Sequence, residues 1–232
     1  MIVPEDQIMS GIVSWWLNQG IENRDSDNRP WRHNFVDSIA DYNVFDPSKP
    51  DVKIEDLKPF TIDSADKLIA YSQEVEKNQF LCGILTADIS MTDREWTPIG
   101  KDEPNKHFRG IFDGRGHKII GLTSSSPDKA VGLFGTVHAG AEIRNVTIGE
   151  GSSFTCEGDA GAGGIVGKVK IRGRDWGTVV IENCGSHANV NGFKHVGGIL
   201  GNVDTPDNNS TIKVYVNNCY STGTVTAEHG NS

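Results

Sequence analysis

The chain has 232 residues, of which 36% are hydrophobic and 23% are charged, and its formal net charge at pH 7 is −9. This composition is typical of a soluble globular protein and excludes an intrinsically disordered chain. No apolar run is long enough to span a bilayer. Residues 151–232 carry 7 acidic and 6 basic side chains, which excludes the basic footprint of a nucleic-acid-binding protein.

Residues 1–60 differ from the rest of the chain. They carry 11 acidic and 6 basic side chains, and Glu5 and Asp6 stand where a secretory signal would be positively charged. The sequence therefore contains no signal peptide: either the protein is not exported by one, or the chain is a mature segment. We expect a helix over 7–20 and a mostly irregular extension over 22–60, so that residues 1–60 form an N-terminal extension of unknown role.

The second unit, residues 61–232, is predicted to begin with one amphipathic helix. Asp63 is a candidate N-cap with Asp66 three residues later, and Asn78 is a candidate end. The face with helical spacing consists of Leu68, Tyr71, Ser72 and Val75. Such a helix would cover the first open coil of a stack of strands and so prevent edge pairing.

A glycine-anchored motif recurs in the second half of the chain. The pattern G-Φ-Φ-G-x-V, with Φ an apolar residue, occurs at 132–137, 164–169 and 198–203, at steps of 32 and 34 residues. We expect further copies at 110–112 and 83–85. A second pattern, apolar-x-Asn-apolar, follows at 143–146, 181–184 and 216–219, and residues 119–122 fit the same frame with Gly121 in place of Asn.

Each repeat contains three short strand-like segments and no helical periodicity, which predicts an all-β fold. Three short strands per repeat suit one coil of a parallel β-helix. We therefore expect a right-handed parallel β-helix, or solenoid, of about four to five coils with an N-terminal helical cap. Equivalent strands of successive coils would then stack about 4.8 Å apart.

The repeat frame predicts three interior columns of side chains. They are Ile111/Leu133/Ile165/Ile199, Ile119/Ile143/Ile181/Val216 and Leu122/Val146/Cys184/Cys219. A further stacked pair is Val190 and Val225. Asn145, Asn183 and Asn218 are predicted at corners with a left-handed backbone, where their amides could bond to one another as a ladder.

A fourth apolar set has the parity of outward-facing residues: Phe112, Phe134, Val166 and Leu200. In one interpretation the glycines bend the strand so that these side chains tuck inside, or another segment covers them. In the other interpretation they form an exposed groove that binds a partner. The sequence favours burial.

One charged segment has a regular geometry. Lys168, Lys170, Arg172 and Arg174 alternate and would line one face of an extended strand that ends at Trp176. The simpler interpretation is a solvated strand face that discourages edge pairing. The alternative is a cationic strip with an aromatic platform that binds an acidic glycan or partner.

The sequence shows no pattern typical of an enzyme active site or a metal site. Enzymes that cleave polysaccharides use carboxylates gathered on one face, whereas the frame of Arg144, Glu182 and Asn217 offers one carboxylate beside an arginine and so predicts an inter-coil ion pair. The cysteines at 82, 156, 184 and 219 lack C-x-x-C spacing, and the seven histidines are scattered. We therefore expect no catalytic residues, no metal site and no cofactor.

Taken together, these motifs resemble the bacterial GLUG-repeat family. The resemblance is carried by WTPIG (96–100), FRGIFDGRGHKIIGL (108–122), VGLFGTV (131–137) and the later GGIVG, IENC and GGILG segments, and it covers about residues 61–225. The family implies large secreted or surface-attached bacterial proteins with β-helical repeats. Similar repeats accompany immunoglobulin-cleaving zinc peptidases, but the H-E-x-x-H motif that those enzymes need is absent from this sequence.

The sequence thus predicts a non-enzymatic structural or adhesive module, extracellular or at a bacterial cell surface, that contacts host or matrix glycans or proteins. Nucleic acid is not an expected partner. The C-terminal coil is expected to make end-to-end contacts or contacts with a parent protein. Two alternatives stay open: a glycan-processing β-helix enzyme, and a spacer that displays another domain.

Overall fold

The structure is a computed structural model that describes residues 58–171, 176–205 and 211–228. Within these ranges the chain forms short strands and one helix, and every strand pairing is parallel. Each sheet takes its strands from successive turns of the chain. The molecule is therefore a parallel β-solenoid of about four turns, as predicted. The expected helix over 7–20 and nearly all of the extension over 22–60 lie outside the described residues.

The solenoid begins with β1 (Phe60–Ile62), α1 (Ala65–Lys77), β2 (Gly83–Leu85) and β3 (Ile89–Ser90). The N-cap of α1 is Ser64, whose extended backbone lets its side chain accept a hydrogen bond from the backbone N–H of Lys67, one residue later than the predicted Asp63. Asn78 ends the helix as predicted. The four residues predicted for one helix face are all buried.

Helix α1 closes the first end of the interior. The Tyr71 ring lies 5.7 Å from the ring of Phe60 and 5.8 Å from that of Phe112. Its hydroxyl donates to the carbonyl oxygen of Leu81 at 2.8 Å. The helix is thus the predicted N-terminal cap, because its buried face lies on the first turn of strands.

The following turns repeat one order of strands. The second turn contains β4 (Ile111–Asp113), β5 (Lys118–Ile120), β6 (Thr123–Ser126) and β7 (Phe134–Val137). The third contains β8 (Glu142–Arg144), β9 (Thr147–Ile148), β10 (Ser153–Cys156), β11 (Ala162–Gly163) and β12 (Val166–Lys170). The fourth contains β13 (Trp176–Glu182), β14 (Gly185–Ser186), β15 (Asn189–Gly192), β16 (Val196–Gly197) and β17 (Leu200–Asp204). A partial last turn contains β18 (Thr211–Asn217), β19 (Tyr220–Ser221) and β20 (Val225–Ala227).

These strands form five sheets that wrap around the core. Sheet 1 contains β1, β2, β4, β8, β13 and β18, and sheet 2 contains β3, β5, β9, β14 and β19. Sheet 3 contains β6, β10, β15 and β20. Sheet 4 contains β11 and β16, and sheet 5 contains β7, β12 and β17.

The later turns stack as the repeat frame predicts. Ile143, Ile181 and Val216 pair in register in sheet 1. Leu133, Ile165 and Ile199 directly precede the register-paired Phe134, Val166 and Leu200 of sheet 5. Val146, Cys184 and Cys219 directly precede the paired Thr147, Gly185 and Tyr220 of sheet 2, and Val190 pairs with Val225 in sheet 3.

The predicted place of Ile119 is wrong, because the second turn is longer at one corner. Phe112 pairs with Ile143 in sheet 1, whereas Ile119 pairs with Ile148 in sheet 2. The corner of the second turn has two more residues than that of the third. Arg115 and Gly116, with φ of 50° and 83°, lie in this longer corner.

Two other residues, Ile111 and Leu122, also lie outside the columns predicted for them. Ile111 pairs with Glu142 in sheet 1, and Ile99 is the residue that bridges to Phe134. Leu122 lies beside Ser152, whose Oγ accepts a hydrogen bond from its N–H at 3.1 Å. The segments at 110–112 and 83–85 are therefore strands of sheet 1 and not copies of the glycine-anchored motif.

Asparagines form the predicted corner. Asn145, Asn183 and Asn218 have φ of 55°, 52° and 49°. Asn183 Nδ2 donates to Asn145 Oδ1 at 3.3 Å, and Asn145 Nδ2 donates to Asp113 Oδ1 at 3.0 Å. Gly121 also has positive φ, but it belongs to a different corner, where its N–H donates to the carbonyl of Glu150.

The outward-parity apolar residues are buried, as the sequence favours. Phe112, Phe134 and Val166 are fully buried and Leu200 is half-buried. Phe134 packs against Phe108 and Phe112, with ring centroids 4.7 Å and 5.4 Å apart. These residues therefore belong to the core and do not form a groove.

Close approach of the chain explains the glycine-anchored motif. A Cβ at Gly164 would lie 2.3 Å from the carbonyl oxygen of Gly198, and a Cβ at Gly201 would lie 2.5 Å from that of Ala162. The backbones of sheets 4 and 5 meet at this corner without room for a side chain. The motif returns because each turn repeats the same corner.

Several apolar side chains of the last described turn are exposed. Val216 and Val225 continue buried columns but are themselves 45% and 44% exposed. Tyr220 is half exposed. The expectation of end-to-end or parent-protein contacts at this coil stays a prediction.

Candidate binding surface

The residues of the predicted cationic strip do not share one strand. Lys168 and Lys170 lie in β12, which ends at Lys170 in sheet 5. Trp176 begins β13 in sheet 1. Arg172 and Arg174 lie outside the described residues. The structure therefore places the two lysines together and puts Trp176 on a different sheet.

Two aspartates face the two lysines. Lys168 Nζ lies 3.0 Å from Asp102 Oδ2, and Lys170 Nζ lies 2.6 Å from Asp204 Oδ2. The crossed distances are 3.7 Å and 3.5 Å, so the four groups form one network. Asp102 precedes Lys168 by 66 residues, which is why the sequence pattern does not reveal it.

The charges of this network stabilise one another. The hydrogen bond to Asp204 raises the pKa of Lys170, against a smaller opposing effect of burial. Burial acts to raise the pKa of Asp102, but the hydrogen bond from Lys168 and the charges of both lysines together hold that pKa below its usual value. Lys168 is only 8% exposed. The lysine pair is thus neutralised by neighbouring carboxylates.

A second charged network lies on sheet 1. Arg144 Nη2 lies 3.0 Å from Asp113 Oδ2, and Arg144 Nη1 lies 3.2 Å from Glu142 Oε1. The sequence predicts an ion pair between Arg144 and Glu182. The two residues are register neighbours, but the ion pairs of Arg144 among the described residues are with the other two carboxylates. Because the second turn has extra residues, the repeat alignment did not place Asp113 beside Arg144.

Glu142 is the unusual member of this network. Its side chain is fully buried, and its oxygens have no hydrogen bond of good geometry although Arg144 is close. Burial raises the pKa of Glu142 to about 7, opposed by the charge of Arg144 and reinforced by Glu182 and Asp113. A carboxyl enclosed in this way does not contact a glycan chain. The network acts within the fold.

The outer face of sheet 3 is different in kind, because it carries no charge. Its outward side chains form two rows across the turns, which we call the polar face. One row is Thr123, Ser153 and Asn189, and the other is Ser125, Thr155, Asn191 and Thr226. Between them point the inward residues, of which Phe154 and Val190 are fully buried.

The polar face is regular and accessible. Its side chains are exposed or half-buried. Neighbouring rows lie about 6.7 Å apart along a strand, and neighbouring turns lie about 4.8 Å apart. Each hydroxyl or amide both donates and accepts hydrogen bonds. The signal in the sequence was the period-two alternation of SFTC, NVNG and TVTA, of which the repeat frame used only Val190 and Val225, whereas TSSS is polar throughout and gives no such signal.

A cleft of about 670 Å³ adjoins the polar face in the first and second turns. It is lined by residues 92–97, by Thr123, Ser124 and Ser125 of β6, and by Glu150 and its neighbours. Trp96 forms part of the wall and is fixed there, since its indole Nε1 donates to the carbonyl of Gly132 at 3.0 Å. A polymeric ligand bound along the polar face would therefore reach this cleft.

Within 58–171, 176–205 and 211–228, no helix combines the length and the apolar character needed to cross a lipid bilayer. In the same part of the chain, no group of three or more His, Cys, Asp or Glu side chains is arranged to hold a metal ion.

Comparisons with known proteins give two similarities. No family model matches the chain. The chain is 30% identical to Halomucin of Haloquadratum walsbyi over 154 residues, which is 62% of this chain but only 2% of that protein. It is also similar to the crystal structure of a Bacteroides ovatus protein provisionally named an immunoglobulin A1 protease, with a TM-score of 0.56 and 24% identity over 73% of this chain and 48% of that one. The second likeness shows the solenoid fold alone.

Proposed function

We propose that the chain is a non-enzymatic adhesive module of a bacterial surface or secreted protein, and that its polar face binds neutral glycans. The observation that carries this proposal is the pair of straight, uncharged rows of hydroxyl and amide side chains on sheet 3. Sugar hydroxyls donate and accept hydrogen bonds, and the polar face offers both at regular spacing.

The physical basis is the sum of many weak contacts. Serine, threonine and asparagine side chains are short, so they lose less conformational entropy on binding than long charged side chains. The solenoid already fixes their positions, which lowers the ordering cost of binding. Each added turn presents the same groups again, so a glycan with repeating units can engage several turns at once.

The charged networks are an argument for neutral glycans as ligands and against acidic ones. Lys168 and Lys170 are engaged with Asp102 and Asp204, so they offer little attraction to an anionic glycan. The similarity to Halomucin and the resemblance to the GLUG-repeat family both support an extracellular or cell-surface location. Glu142 is enclosed, so this carboxyl is not available as an acid or base to a glycan bound at the surface.

A glycan array combined with product analysis tests this function. The protein is applied to neutral and acidic glycans, and the bound glycans are then incubated with it and analysed for cleavage. Binding to neutral glycans without cleavage is the expected result. Released products would instead indicate a glycan-processing enzyme. Binding to no glycan would indicate a spacer or a protein-binding module, and stronger binding to acidic glycans would contradict the role of the polar face.

A further inference from the structure

Two cysteines lie one above the other in the last two turns. Gly185 pairs with Tyr220 in sheet 2, and the Tyr220 N–H donates to the carbonyl of Cys184 at 3.1 Å. Cys184 and Cys219 directly precede this pair, so they occupy the same place in successive turns. Parallel neighbours of this kind have Cα atoms about 4.8 Å apart, which lies within the range of roughly 4.4–6.8 Å that a disulfide spans.

The thiols are also oriented alike. Cys184 Sγ lies 3.2 Å from the carbonyl oxygen of Glu182, and Cys219 Sγ lies 3.2 Å from that of Asn217. The two side chains are close enough for each to shift the pKa of the other. Both cysteines are free. The two thiols therefore project in the same direction from the same place in successive turns.

The pair has one reactive and accessible member. Cys219 is half-buried in the last described turn, whereas Cys184 in the turn before it is buried. The hydrogen bond from Cys184 lowers the pKa of Cys219 to about 7 despite partial burial. A thiolate at neutral pH is the nucleophile of thiol–disulfide exchange.

The other two cysteines differ. Cys82 is buried, and burial raises its pKa to about 12. Cys156 is buried and pairs in register with Ser126 and Gly192. Neither has a cysteine in the same place of an adjoining described turn, so they serve as internal controls.

We propose that Cys184 and Cys219 form a disulfide that clamps the last turn to the fourth turn when the protein meets a small-molecule disulfide oxidant such as oxidised glutathione. The Cys219 thiolate attacks one sulfur of the oxidant, which releases one glutathione thiol and leaves a mixed disulfide. Cys184 then loses its proton, attacks the sulfur of Cys219 and releases the second glutathione thiol. Two electrons and two protons thereby pass to the oxidant.

Peptide mapping of the native protein tests this proposal. Trypsin places Cys184 in the peptide 175–194 and Cys219 in the peptide 214–232. After treatment with oxidised glutathione and alkylation, we expect the free thiols to fall from four to two. We also expect these two peptides to be joined, and to separate on reduction. The joined pair should persist in Cys82→Ala and be lost in Cys219→Ser.

Three results would overturn the proposal. They are retention of all four thiols, glutathione that stays on Cys219 while Cys184 remains free, and a joined pair that contains Cys82 or Cys156. Hydrogen exchange adds a second readout on the wild-type chain: backbone amides of residues 213–228 should exchange more slowly after oxidation, and unchanged exchange would contradict the clamp. Neither readout depends on glycan binding, so this inference and the proposed function fail separately.

Discussion

Replacing Ile181 by alanine tests the interior column of sheet 1. Ile181 is fully buried and pairs in register with Ile143 and Val216. The substitution removes three carbon groups, each worth about 0.8 kcal/mol of transfer free energy, and leaves a cavity that adds to this cost. We expect the free energy of unfolding to fall by about 3–4 kcal/mol, measured by urea unfolding with far-UV circular dichroism.

Val216→Ala is the matched control, because Val216 stands in the same column but is 45% exposed. It removes two carbon groups that are already partly in water, so we expect a loss of about 1 kcal/mol or less. The reasoning would be refuted if Ile181→Ala cost no more than the control. Such a result would mean that the middle of the column is not closely packed between its neighbours.

Three further predictions concern charge and backbone. The pKa of Glu142 rises from 4.5 to about 7 on folding. The contribution of this shift to the free energy of unfolding is therefore full below pH 4.5 and is lost as pH rises through 7, a change of about 3 kcal/mol. Urea unfolding from pH 4 to 8 should show this loss in the wild type, and an equal loss in Glu142→Gln would contradict it. At Asn183, where φ is 52°, alanine should cost about 1–2 kcal/mol more than glycine, and equal urea midpoints for the two variants would refute the left-handed corner. Removing both carboxylates of the lysine network with Asp102→Asn and Asp204→Asn should delay elution from a heparin column, and unchanged elution would show that the lysines are not neutralised by these residues.

The regular part of the repeat was readable from the sequence. In the third, fourth and last turns, an asparagine corner follows each inward residue at constant spacing, so Ile143, Ile181 and Val216 were placed correctly. The second turn does not follow the spacing of the later turns. Its corner uses Gly114, Arg115 and Gly116 in place of one asparagine, and a glycine turn can lengthen without any change in the apolar pattern that follows.

The binding surface was harder to predict, because it depends on neighbours that are distant in sequence. Nothing near Lys168 indicates that Asp102 will lie beside it, since the contact exists only after the turns stack. The polar face was hard to predict for the same reason. Each turn contributes two or fewer hydroxyl or amide groups to it, and the rows can be identified only when the register is known. Alternation within one strand shows which residues face outward but not which of them assemble.

The most direct test of the polar face compares the affinities of three proteins for one neutral polysaccharide. The three proteins are the wild type, Thr155→Glu and Thr147→Glu. Thr155 lies at the centre of the polar face, whereas Thr147 is an equally half-buried threonine on sheet 2 of the same turn. A carboxylate on the polar face would be desolvated without an opposite charge when the glycan binds. We predict that Thr155→Glu weakens binding at least about tenfold, or 1.4 kcal/mol, and that Thr147→Glu leaves it unchanged. Equal affinities for the three proteins would contradict the account.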